Sequence, residues 1–229
     1  MSNLLYIFLL YIIYSFLGWM IEVFVCSIEA KKFVSRGFLI GPYCPIYGYS
    51  AIIMIFFLQR YESDILVLFV MGTIIASIAE YVTSYLMEKL FNARWWDYSH
   101  IPFNLNGRIC LKNSMLFGLL AVILIYVVNP FITSTLNQIP KNILMYISLL
   151  ILIIFVIDNT LTFNIMFQIK SKVKVIKKDY TEEMTKKVRA MLAEHSFISR
   201  RILTSFPNIT FKGKGIQKNK VIKLFKNNK

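Results

Sequence analysis

The stretch LLYIFLLYIIYSFLGWMIEVFVCS, residues 4–27, contains a single charged residue, Glu22. A membrane-spanning helix needs about 20 consecutive, mostly apolar residues. The run is longer than the apolar core of a signal peptide, about 7–15 residues, and no basic cluster precedes it. It therefore predicts a first transmembrane helix. Apolar runs of similar length recur further along the chain, so this pattern decides the fold class.

Composition agrees with a membrane protein, since 57% of residues are apolar and only 17% are charged. Soluble domains carry about a quarter charged residues. The sequence predicts an all-α, polytopic membrane helix bundle of about five spans. These spans cover roughly residues 4–27, 42–59, 64–88, 113–129 and 143–169. The second begins inside a glycine and proline cluster at 37–48, so we expect it to be broken or to enter the bundle only partway.

Lysine and arginine are concentrated in alternate loops. The first and third loops hold several each, whereas the second and fourth hold only Arg60 and Lys141. By the positive-inside rule, the odd loops and the C-terminus face the cytoplasm and the N-terminus lies outside. We accordingly predict a multi-pass membrane protein.

The last 60 residues carry nearly all the net charge, with 17 Lys and Arg against 4 Asp and Glu in 170–229. Apolar residues recur every three or four positions up to about 205. We predict a transmembrane bundle at 1–169, a cytoplasmic amphipathic helix at 170–206 and a flexible polybasic tail at 207–229. The tail has few aromatic residues, which favours anionic membrane lipid over nucleic acid as its partner. The alternative is a solvated end that only enforces topology. The predicted lipid-binding lysines are Lys212, Lys214, Lys218, Lys220, Lys223, Lys226 and Lys229.

Four acidic residues, Glu22, Glu80, Glu88 and Asp158, lie within or at the ends of the predicted spans. A charge at the bilayer centre costs about 2.5–3.5 kcal/mol even on the lenient scale. The predicted topology puts all four in the cytoplasmic half, and the loop arginines approach from the same side. The sequence therefore predicts a polar, inward-facing cavity covered by loop 92–114. Its candidate residues are Glu22, Arg36, Glu80, Arg94, Trp95, Trp96, Asp97, Asn104, Arg108 and Asp158.

Structural interpretations of these residues stay open beside the functional one. The acids could pair with loop arginines only to lock helices together. Glu88 could be interfacial and solvated. The tryptophan pair is also typical of a membrane-interface belt, and Asn104 of turn chemistry.

Catalysis and cofactor binding have no sequence signature here. Cys26, Cys44 and Cys110 are scattered, and they match neither a disulfide framework nor a zinc site. No phosphate-binding loop and no zinc or serine nucleophile motif occurs. We therefore predict no catalytic residue, no metal and no cofactor.

Three long motifs carry a family resemblance: YSFLGWMIEV (14–23), KKFVSRGFLIGPYCPIYG (31–48) and EYVTSYLMEKLFNARWWDYSHIPFNLNGRICLKNSMLFG (80–118). Over about residues 5–165 the chain resembles the family described as "putative ABC-transporter type IV permeases". One departure is Ser35, where the pattern has an asparagine before Arg-Gly. The matching positions are Gly18, Trp19, Glu22, Arg36, Gly37, Gly41, Pro42, Pro45, Gly48, Glu80, Arg94, Trp95, Trp96, Asp97, Tyr98, Phe103, Asn104, Gly107 and Arg108.

The resemblance implies a transporter permease of the bacterial cell membrane rather than an enzyme, with a separate ATP-binding subunit as partner and a homo-oligomer possible. Arginines near the cavity favour an anionic or lipid-like substrate. Two alternatives remain. One is a membrane-embedded enzyme that acts on a lipid or lipid-linked phosphate. The other is a non-catalytic scaffold or regulator that binds partners through its tail.

Overall fold

The structure, a computed structural model, describes residues 3–175, 201, 205 and 209–211. Its helices are α1 (Asn3–Ala30), α2 (Pro45–Leu58), α3 (Ile65–Phe91), α4 (Leu111–Ile123), α5 (Asn129–Asn137) and α6 (Lys141–Val175). A 3₁₀ turn, Gln59–Tyr61, follows α2, and a π-helical turn, Leu124–Val128, joins α4 to α5. Four two-residue strands complete the described part: β1 (Ala93–Arg94), β2 (Asn104–Leu105), β3 (Ile109–Cys110) and β4 (Thr210–Phe211).

Four helical segments are long and apolar enough to cross a membrane: Asn3–Ala30, Ile65–Phe91, Leu111–Asn137 and Lys141–Gln168. They confirm the predicted all-α membrane bundle. The predicted second span is instead the 14-residue helix α2, about 21 Å long. The prediction of a fifth complete span is therefore not confirmed. Many large apolar side chains on these helices are exposed, among them Leu150 and Phe56, as expected where lipid is the solvent.

Small residues allow α3 and α4 to pack closely. Gly72 and Ala76 are buried on α3, four residues apart, and this spacing of small residues lets helices approach closely. A Cβ atom added at Gly72 would collide with the side chain of Ala121, and one at Gly118 would collide with Thr73. The contact between α3 and α4 therefore has no space for a larger side chain at either glycine.

Segment 31–44 enters the bundle without forming a helix. The backbone N–H of Cys44 donates to the carbonyl oxygen of Ser15 at 2.9 Å. Ser15 lies 15 residues before the end of α1 at Ala30, a depth of about 22 Å at 1.5 Å per residue. The segment thus descends roughly half the bundle before α2 begins at Pro45. This agrees with the broken, partial insertion expected from the glycine and proline cluster.

The first and third loops lie at the same end of the bundle, which we call the loop end (residues 31–44, 92–110, 201, 205 and 209–211). Arg36 donates to the carbonyl oxygen of Ser205 at 2.6 Å, and β4 pairs antiparallel with β1. Ile209 is fully buried. The shared end is what the predicted topology requires, and its assignment to the cytoplasm stays a prediction.

The predicted domain boundaries also stay predictions. Helix α6 runs through residue 169 to Val175. Most of 170–206 and 207–229, including the lysines from Lys212 to Lys229, lies outside the described residues.

A polar layer as the candidate functional site

Asp158 of α6 anchors the inserted segment. Its carboxylate accepts the backbone N–H groups of Ile40 at 2.9 Å and Gly41 at 2.7 Å. The hydroxyl of Tyr43 also donates to it, as does that of Thr162 at 3.0 Å. Asp158 is 7% exposed. Backbone without helical hydrogen bonds is tolerated at membrane depth only when other groups satisfy it, and this carboxylate does so.

Glu22 of α1 connects α2 to the first loop. The Tyr47 hydroxyl donates to one carboxylate oxygen at 2.7 Å. The other oxygen lies 3.7 Å from Nε of Arg36. Both charged side chains are partly exposed, at 31% and 24%, so this ion pair is in a moderately polar environment. Tyr47 reaches Glu22 by packing directly on Gly18.

Arg108 and Glu88 form the shortest of three ion pairs in the polar layer. By this layer we mean the charged side chains at and just inside the loop end: Glu22, Arg36, Glu80, Glu88, Arg94, Asp97, Arg108 and Asp158. Nη2 of Arg108 lies 2.8 Å from Glu88, and their side chains are only 12% and 15% exposed. Nη1 of Arg108 donates to Ser84 at 3.1 Å. The guanidinium group also lies over the rings of Tyr81 and Tyr85, 5.7 and 5.5 Å from their centroids. The expectation that Glu88 is solvated was wrong, because Arg108 folds back onto the last turns of α3.

Arg94 pairs within its own loop instead of with an intramembrane acid. Its Nη1 lies 3.2 Å from the exposed Asp97, and its Nη2 donates to the carbonyl oxygen of Asn106. Asn104 accepts the N–H of Gly107 at 2.9 Å, which is the turn chemistry weighed from sequence. Gly107 has a φ of 64°, and a Cβ there would collide with Asp97. These contacts make loop 92–110 a folded unit.

The two tryptophans have separate structural contacts. Trp95 is 3% exposed and meets Phe38 and Phe91 edge-on, with ring centroids 5.2 and 6.2 Å apart. Its ring lies in an aromatic cluster between the first loop and the end of α3. Nε1 of Trp96 donates to the carbonyl oxygen of Arg108 at 3.0 Å. Both side chains thus pack the loop onto the bundle.

Glu80 of α3 is the carboxylate of the layer with the fewest partners. It is 5% exposed, and the Tyr98 hydroxyl donates to its Oε1 at 3.2 Å. Its Oε2 is buried and has no hydrogen-bond partner among the described residues. Burial and the neighbouring Glu80 raise the pKa of the Tyr98 phenol, so that Tyr98 stays a donor. A lone ionised carboxylate at this depth costs several kcal/mol.

The structure brings some predicted site residues together and separates others. Glu22 lies close enough to Glu80 to repel it electrostatically. Asp158 has a separate set of hydrogen-bond donors, so the three carboxylates do not share one set of partners. Sequence reasoning did not include Tyr43, Tyr47 or Tyr98 among the site residues. Their positions within the motifs PYCPIYG and WWDYS were the available signal.

Positive charge in the layer is largely neutralised. Arg36, Arg94 and Arg108 each pair with a carboxylate. The prediction of an anionic substrate stays a prediction, and these pairings remove part of the charge on which it rested. Within residues 3–175, 201, 205 and 209–211, no group of three His, Cys, Asp or Glu side chains is arranged to hold a metal ion.

Comparison with known proteins supports the resemblance seen in the motifs. Neither a curated protein nor a solved structure matches the chain significantly. The model of the family described as "Putative ABC-transporter type IV" matches residues 9–163, more than half of the chain. This match covers most of α1, the inserted segment, α2 to α5 and most of α6. The chain therefore belongs to the family described as "Putative ABC-transporter type IV".

Proposed function

We propose that the protein is the membrane-spanning permease subunit of an ABC transporter and works with a separate ATP-binding subunit. The substrate passes through the polar layer at the loop end. The family and four span-length helices support this proposal. ATP binding is assigned to another chain because this sequence has no phosphate-binding loop.

The observation that carries the proposal is the insertion of segment 31–44 to the depth of Ser15, held by Asp158. Many transporters place their substrate sites where a helix is interrupted near the bilayer midplane. Here α2 begins inside the bundle at Pro45. Its first turn contacts Glu22 of α1 through the hydroxyl of Tyr47, which donates to the carboxylate. The insertion therefore supports a substrate path along α1 and α2.

An anionic or lipid-like substrate fits the start of α2. The helix dipole gives a helix N-terminus partial positive charge, which favours anions. At the start of α2 this dipole acts without free N–H groups from Pro45, which has none, or from Tyr47, whose N–H donates to the carbonyl oxygen of Cys44. The paired arginines contribute less than the sequence suggested. The substrate class therefore rests on the buried helix start more than on the loop cations.

Purification from the native membrane after chemical cross-linking tests the permease assignment. We expect an ATP-binding protein to co-purify, and the reconstituted complex to hydrolyse ATP. Asp158→Ala should uncouple hydrolysis from transport of the substrate, whereas Thr162→Val, which keeps the carboxylate, should retain coupling. Repeated purification without any ATP-binding protein would contradict the proposal.

An enzyme that acts on a membrane lipid is the second candidate, favoured by an apolar groove. The groove has a volume of about 320 Å³ and is lined by side chains of α1 and α6 together with Pro42 and Tyr43. Tyr43, which lines the groove, is the residue whose hydroxyl donates to Asp158. Lipid analysis of a deletion strain separates the candidates, because loss of an enzyme changes the chemical structure of a lipid. Loss of a permease changes only its distribution.

A further inference from the structure

We propose that Glu80 is a proton-binding site of the bundle, with the proton on Oε2 and Tyr98 donating to Oε1. This inference goes beyond the permease assignment and does not depend on it. It rests on the partners of the carboxyl group, on burial and on the charges around it.

The first argument is the distribution of cations. Among the described residues each nearby arginine is already paired: Arg36 with Glu22, Arg94 with Asp97 and Arg108 with Glu88. Arg108 comes within one helical turn of Glu80 at Ser84 but continues to Glu88. Glu80 is thus left in the layer without an ion pair, at 5% exposure.

The second argument is the pattern of hydrogen bonds on the carboxyl group. Oε1 accepts from Tyr98, whereas Oε2 has no partner in the described part of the chain. An ionised carboxylate has acceptor capacity on both oxygens and is strongly destabilised when one is left bare in a dry site. A carboxylic acid has one carbonyl oxygen, which accepts, and one hydroxyl oxygen. A single donor on Oε1 matches the carbonyl oxygen of the protonated form, and the group left without a partner on Oε2 is then a neutral hydroxyl, which costs less than a buried charge.

The surrounding groups favour the same state. Among the described residues no cation forms an ion pair with Glu80, whereas the charge of Glu22 would repel an ionised Glu80. A neutral acid avoids repulsion between the two. The groups around the site are Glu22 of α1, Tyr47 and Tyr49 of α2, Tyr98 of loop 92–110 and, through Tyr98, Asn113 of α4.

Tyr98 connects this proton to loop 92–110. The phenol belongs to the folded loop, whose N–H at Tyr98 donates to the carbonyl oxygen of Gly107 at 2.8 Å. Displacing the loop removes the donor from Oε1 and admits water, which stabilises the ionised form.

Infrared spectroscopy of the purified protein in lipid nanodiscs at neutral pH tests the proposal. A protonated carboxyl group has a carbonyl stretching band separate from that of a carboxylate. We expect Glu80→Gln to lose a band equivalent to one carboxyl group. The matched control Glu22→Gln should keep it, because Glu22 already has Arg36 nearby. Identical protonated-carboxyl bands in wild type and Glu80→Gln would overturn the proposal.

A second variant keeps the test valid if Glu80→Gln does not fold. Tyr98→Phe leaves the carboxyl group in place and removes only its hydrogen-bond donor. We expect the carboxyl band to remain and to shift to higher frequency, because the carbonyl loses a hydrogen bond. Absence of a protonated-carboxyl band in wild type, or an unshifted band in Tyr98→Phe, refutes the assignment.

Discussion

Removal of the Asp158 carboxylate should release the inserted segment from the bundle. In Asp158→Ala, the N–H groups of Ile40 and Gly41 lose their acceptor. The hydroxyl groups of Tyr43 and Thr162 lose the same acceptor. Hydrogen bonds to a charged group contribute about 1.5–3 kcal/mol each. Part of this is recovered when water follows the opened segment. We therefore expect the local opening free energy to fall by about 3–4 kcal/mol, in the range found when one partner of a buried charged interaction is removed.

The consequence is measurable at Cys44, which is 8% exposed and lies at the end of the segment. Since about 1.4 kcal/mol corresponds to a factor of ten, its opening equilibrium should rise roughly 100- to 1,000-fold. Alkylation of Cys44 in detergent micelles, followed by mass spectrometry, reports this opening when reclosing is fast. The rate should rise by the same factor.

Two controls make the result interpretable. Thr162→Val removes one of the four donors and keeps the carboxylate, so its share of the net 3–4 kcal/mol is about 1 kcal/mol and Cys44 should react no more than about tenfold faster. Cys110, which is 1% exposed in β3, should react at the wild-type rate in both variants. If Asp158→Ala leaves the Cys44 rate within threefold of wild type, Asp158 does not hold the segment.

Further predictions concern packing, ion pairing and the tail. Arg108→Ala should lower the free energy of unfolding in mixed micelles by about 3–5 kcal/mol because it removes one partner of a largely buried ion pair; adding Glu88→Gln should recover part of this loss, and simple additivity would contradict the pairing. Gly72→Leu should prevent stable accumulation in the membrane, because overpacking a tight helix seam costs about 1–3 kcal/mol or more; a wild-type protein level would refute the close contact. Deletion of 212–229 should weaken binding to anionic vesicles, at about 1 kcal/mol per lysine engaged, and leave thermal stability unchanged. Ile209→Asp should lower thermal stability and leave binding to anionic vesicles unchanged, because the fully buried Ile209 contributes packing and no lipid affinity.

The helices were predictable from sequence because lipid imposes a simple rule on length and polarity. The apolar runs at residues 4–27, 64–88 and 143–169 correspond to α1, α3 and α6. Segment 42–59 has the composition of a span but not its structure. Ile40 and Gly41, just before it, and Tyr43, near its start, are held by Asp158, more than 110 positions away in the chain, and no local pattern contains that information.

The candidate site was predictable in its ingredients and not in its pairings. Residue types and predicted depth identified the acids and arginines that lie at the loop end. Which arginine reaches which acid depends on how loop 92–110 folds. There Arg94 turns to Asp97, and Arg108 turns to Glu88. The tyrosine donors could not be separated from ordinary aromatic packing by sequence alone.

The depth of segment 31–44 underlies the proposed function and the role of Asp158, and a disulfide cross-link measures it most directly. In a background without Cys26 and Cys110, Ser15→Cys should form a disulfide with Cys44 on mild oxidation in native membranes. The two residues are adjacent, because the backbone nitrogen of Cys44 lies 2.9 Å from the carbonyl oxygen of Ser15. Ser27→Cys, near the end of α1, should not. Cross-linking of Cys44 to position 27 and not to position 15 would contradict the account, because the segment would then lie at the membrane surface.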